Sequence, residues 1–66
     1  MFVPFPHPQD PKRQLLVAAD NIAGVDFSKD DDQDSTVYFI HEVAGISSMS
    51  LRPEMARDLR STLSLD

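Results

Sequence analysis

A chain of 66 residues has room for one small domain, which buries a smaller share of its surface than larger domains do and is correspondingly marginal. Cysteine is absent, which excludes disulfides, zinc sites of the cysteine type and thiol catalysis. Eleven acidic against six basic residues give a formal charge of -5, which opposes nonspecific attraction to nucleic acid or to an anionic membrane.

No basic segment with an apolar one behind it follows Met1, and no apolar run approaches the ~20 residues needed to cross a bilayer. The expectation is a soluble, cytoplasmic protein with no membrane partner. Residues 1–12 hold four of the five prolines, each of which fixes its own φ and removes a backbone donor. They read as an extended arm, leaving residues 13–66 as a single small domain. Phe2, Val3 and Phe5 are too apolar for a freely solvated tail, so the arm is expected to lie along the body as an irregular edge segment or to dock on a second subunit. Pro8, Pro11 and Arg13 fit the PxxPxR spacing read by polyproline-binding domains, but the pattern is short, Asp10 suits such a groove poorly, and a structural arm is preferred.

Arg13 to Val17 is a strand rich in branched residues, and Val25 and Phe27 alternate with Gly24 and Asp26 in a second. Between them, Asp20 and Asn21 predict a bend or bulge, in preference to a short helix over residues 18–23. The loop from Ser28 to Ser35 places Asp30, Asp32 and Asp34 at the first, third and fifth places of a calcium loop. Ser35 then stands where that loop needs glycine and His41 where it needs glutamate, so a solvated acidic turn is the reading and no metal is assigned.

Thr36 to Val43 is the most strongly patterned strand. Val37, Phe39, His41 and Val43 fall on one face, Thr36, Tyr38, Ile40 and Glu42 on the other. Large apolar groups on both faces predict a second covered surface, supplied by the arm, a twin subunit or a partner. Gly45 supports a tight hairpin into a returning strand, Ile46 to Leu51, with Met49 and Leu51 inward and Ser47, Ser48 and Ser50 near solvent. Pro53 opens a helix carrying Met55, Leu59 and Leu63 as an apolar stripe with Ala56 beside it. At about eleven residues it needs the sheet to hold it.

No catalytic constellation assembles from these residues. His7 sits among prolines, His41 lies in mid-strand as a partly buried residue, and Gly24 and Gly45 are too few for a phosphate-cradling loop. No cofactor is called for, and the chain is not expected to be an enzyme. The fold class is α+β: a curved antiparallel sheet of three to four strands with one C-terminal helix packed across it. The expected function is a protein-interaction module, with Phe2, Phe5, Tyr38 and Ile40 meeting a protein partner or the second copy of a homodimer. Nucleic-acid binding through Arg52, Arg57 and Arg60 is the alternative, disfavoured by Glu54 and Asp58 among them.

The order of features in RQLLVAADNIAGVDFS, STVYFIHEVAG and SMSLRPEMARDL resembles the small bacterial flagellar FlbD proteins, also called swarming motility SwrD. The likeness covers most of the span from Arg13 to Leu63. It implies a compact strand-rich body closed by a helix and a non-enzymatic role in a bacterial or phage assembly. It transfers no functional residue, and the proline-rich arm stands where that family would have a regular first strand.

Overall fold

The computed structural model describes residues 1–30 and 32–63, and the architecture is α+β. Among the described residues, five strands, one 3-10 turn and one α-helix follow in the order β1 (Phe2–Pro6), β2 (Gln14–Ala18), the 3-10 turn (Ala19–Asn21), β3 (Ile22–Asp26), β4 (Ser35–Val43), β5 (Ile46–Leu51) and α1 (Pro53–Thr62). The strands form two antiparallel sheets, a β1-β2 hairpin and a three-stranded β3-β4-β5 sheet, which corrects the expected single curved sheet of three to four strands.

The first reason for the difference is the arm, which is a regular strand. Phe2 pairs with Ala18, Val3 with Val17, Pro4 with Leu16, Phe5 with Leu15 and Pro6 with Gln14. The Ala19 N–H donates to the Met1 carbonyl at 2.9 Å and the His7 N–H to the Arg13 carbonyl at 3.3 Å. Alternation of the ladder therefore turns the odd-numbered arm residues toward β2 and points the backbone of Phe2, Pro4 and Pro6 away from it. Both prolines occupy positions where a missing N–H breaks no ladder bond, so an edge strand accepts them.

The second reason is the turn at Ala19–Asn21, which carries the chain out of one sheet and into the other. The Asn21 side chain spans the junction: its Nδ2 donates to the His41 carbonyl at 2.9 Å, and its Oδ1 accepts the His41 N–H at 2.8 Å. One amide side chain thus does for β4 what a neighbouring strand residue would do. Residues Ala19–Asn21 form a short 3-10 helix, which corrects the preference for a bend over a short helix in this stretch, and a register shift follows between Ile22 and Gly24 as β3 settles against β4.

The core lies where hairpin, sheet and helix meet. Val3, Phe5 and Val17 come from β1 and β2, Val37, Phe39 and Leu51 from β4 and β5, and Ala56 and Leu59 from α1. Phe5 meets Phe39 edge to face, with ring centroids 5.8 Å apart and planes at 75°, the arrangement that sets a positive ring edge against a negative face. Period-2 alternation explains the strand contributions and the i, i+3 spacing of Ala56 and Leu59 the helical one. Met55 and Leu63 pack partly buried at the rim of this core, and Met49 does so from β5.

Helix α1 starts with Pro53 in its first turn, carries Glu54 near its N-terminus and Arg60 in its last turn, and so agrees with its own dipole. Arg52 precedes it with extended backbone and provides no side-chain cap. The β4-β5 hairpin closes on Ala44 and Gly45 between the paired Val43 and Ile46, with φ of 53° and 78°. Two positive φ values in a two-residue connection are the type I′ geometry, whose twist matches that of the strands.

Candidate functional site

Two surfaces stand out, one apolar and one polar. The apolar one follows from strand parity. On the outward face of the β1-β2 hairpin, Phe2 lies opposite Ala18 and Pro4 opposite Leu16, and Phe2 and Leu16 are 67 % and 61 % exposed. On the outward face of β4, Ile40 is 58 % and Tyr38 46 % exposed. Tyr38 is paired with Gly24 on one side and Ser48 on the other, neighbours too small to cover a phenol ring. Leu16 and Ile40 both line a shallow groove, together with Ala18, Asn21, His41 and Val43 among others. The groove opens where β2 and β4 part, at the junction the Asn21 amide spans.

Of the four residues expected to meet a partner, Phe2, Tyr38 and Ile40 are surface groups. Phe5 is not: it is 2 % exposed and central to the core, which removes it from the candidate contacts. The parity of β1 decides this, since Phe5 pairs with Leu15 on the inner face. Leu16 was missed by sequence reasoning although its signal was present, because alternation through Leu15, Leu16 and Val17 must turn the middle residue outward.

The second surface gathers Arg57 and Arg60 at a cavity of about 100 Å³ between α1 and the acidic loop, where Phe27, Ser28, Gln33 and Ser35 also line it. The Arg60 guanidinium sits 4.5 Å from the centroid of the Phe27 ring, a cation-π contact that fixes it against the sheet. Ser35 is buried, and its Oγ accepts the Ser28 N–H at 3.0 Å. The Ser28 hydroxyl in turn accepts the Asp30 N–H at 3.1 Å and lies 3.4 Å from Gln33 Oε1, which ties the loop to itself. Arg52, which precedes α1, lines neither the cavity nor the groove.

The histidines have structural surroundings. His41 is exposed, which corrects the expectation of partial burial, and Asn21 binds its backbone alone. His7 Nδ1 accepts the N–H groups of Gln9 and Asp10 at 3.1 and 3.2 Å, and Asp10 Oδ1 accepts that of Lys12 at 3.0 Å. These bonds wind Pro8 to Arg13 into the turn joining β1 to β2, so the PxxPxR spacing is not presented as an extended polyproline helix. Among the described residues no group of three or more His, Asp or Glu side chains could hold a metal ion, and no helix is long and apolar enough to cross a membrane. Comparison with family models, with curated proteins and with solved structures finds no match to this chain.

Proposed function

We propose that this chain is a small non-enzymatic interaction module or regulator of the cytoplasm, one that associates as a homodimer and docks on a larger bacterial or phage assembly. The observation that carries the reading is the placement of Phe2, Leu16, Ile40 and Tyr38 on outward faces, with Leu16 and Ile40 walling one groove. Scattered exposed apolar residues need no explanation, but adjoining ones rimmed by polar groups mark association surfaces. A small core adds to the argument, because a 66-residue chain gains from any further apolar burial. The resemblance to the flagellar FlbD proteins supports the kind of assembly proposed.

The test is affinity capture from the native host with the wild-type chain and with a Tyr38→Ser/Ile40→Ser variant. Specific partners retained by the wild type and lost by the variant support the reading; an unchanged partner set would sink it. The nucleic-acid alternative predicts instead an RNA or DNA affinity that falls steeply with salt and with removal of Arg52, Arg57 or Arg60.

A further inference from the structure

We propose that two copies of this chain meet through the free edge of β2, antiparallel about a two-fold axis at Leu16, so that one sheet runs β1-β2-β2-β1 through both. The pairing rests on the homodimer reading above and specifies how its two copies join. The phase of the β1-β2 ladder exposes the edge. Ala19 donates to Met1 and His7 to Arg13, and between these bonds the pairs Val3–Val17 and Phe5–Leu15 turn their main-chain groups toward each other. The N–H and C=O of Gln14 and Leu16 and the N–H of Ala18 therefore point away from β1. β2 has no second neighbour in its sheet, and no other main-chain bond takes up the Leu16 or Ala18 N–H among the described residues.

The groove lies on this edge. Leu16, Val17 and Ala18 line it as consecutive residues, whereas a strand face is lined by alternate ones. Across it, Asn21 already binds both main-chain groups of His41, so the open main chain there belongs to β2. The occupant that fits is a second β2. A two-fold at Leu16 sets Leu16 against its counterpart and Gln14 against Ala18 of the second copy, so outward groups meet outward groups throughout. Each Leu16 N–H then donates to the other Leu16 carbonyl, and each Ala18 N–H to a Gln14 carbonyl. Charge favours the same partner. Gln14–Ala18 carries none, so chains of net -5 meet along a neutral strip. The axis also brings Lys12 and Arg13 of one copy to the end of β2 where Asp20 stands in the other, and all three are exposed. Other edges are guarded: β1 carries Pro4 and Pro6, and β3 ends in Asp26 and shifts register after Ile22.

The experiment combines sedimentation equilibrium with amide hydrogen exchange on the full chain, as wild type and as Ala18→Pro. Ala18 has a φ of -60°, which proline adopts, and its N–H takes no part in the β1-β2 ladder. The substitution therefore removes an edge donor and leaves Leu16 and Ile40 in place. The expected result is a wild-type dimer in which the amides of Leu16 and Ala18 exchange more slowly as concentration rises. For Ala18→Pro the dissociation constant is expected to be higher by roughly tenfold or more. A wild-type dimer overturns the edge pairing, and leaves the homodimer reading standing, if its Leu16 and Ala18 amides stay unprotected, if β5 amides are protected in their place, or if Ala18→Pro dimerises as strongly. A wild type that is monomeric at every concentration overturns both.

Discussion

Asn21 and Ala44 show how single residues set this architecture. Asn21 satisfies both backbone groups of His41 with one side chain, and so joins the hairpin's exit to β4. Asn21→Ala leaves those groups to water and removes two bonds at a partly exposed site, a loss of about 1–2 kcal/mol that chemical denaturation can read. Asn21→Asp keeps the acceptor for the His41 N–H but sets a carboxylate against the His41 carbonyl. It is expected to destabilise as well, which separates the need for a donor from the need for bulk. Ala44 departs from local preference, with a φ of 53° that a residue with a Cβ adopts at a penalty. Asn at this position is suited to the left-handed region and to a type I′ turn ahead of Gly45. Ala44→Asn should therefore stabilise the chain by about 1 kcal/mol, seen as a rise in Tm of roughly 4–8 °C. An unchanged or lower Tm would show that the turn carries no strain.

The elements differ in how far the sequence exposes them, and β1 explains why. Strand β4, the β4-β5 hairpin and α1 are legible because each has one clear period and one clear boundary: strict alternation, a glycine turn, a proline start. In β1 the prolines read as breakers, although Val3 and Phe5 alternate with Phe2, Pro4 and Pro6 in the inward-outward pattern of a strand. What local reading lacks is the ladder phase, which puts both prolines on the donor-free side. The split into two sheets was hidden for a similar reason: the turn at Ala19–Asn21 that separates them is tied to β4 by a contact between Asn21 and His41, twenty residues apart. The same phase makes a prediction for the edge. Pro4→Val with Pro6→Val restores two outward N–H donors to an edge strand that otherwise has only that of Phe2, and should promote edge-to-edge association. Light scattering with time is the measurement, and equal behaviour of variant and wild type would mean that the prolines do not guard the edge.

For the whole molecule, the governing fact is that a small core is surrounded by apolar groups it does not use. Tyr38 and Ile40 were legible as outward residues of β4 from alternation alone, and Phe2 from the composition of the arm. Phe5 falls on the inner face because parity divides the arm's apolar residues between two faces, and the same parity, not the branched composition of its strand, turns Leu16 outward. The groove that unites Leu16 with Ile40 could not be foreseen, since it is made by two strands in different sheets. The cavity at Arg57 and Arg60 was partly legible: helix spacing puts the two side by side, but Phe27 and Ser35 join them only in three dimensions. These two surfaces are walled by different residues, so each can be altered while the other is left intact.

The proposed association through the Leu16–Ile40 face is tested most directly by sedimentation equilibrium of the wild type beside a Leu16→Ser/Ile40→Ser variant. Both substitutions replace exposed side chains, so the variant should keep the wild-type circular dichroism spectrum while losing the apolar walls of the groove. The wild type is expected to be a concentration-dependent dimer and the variant a monomer across the same range. A wild type that remains monomeric throughout, or a variant that dimerises as strongly, would contradict it.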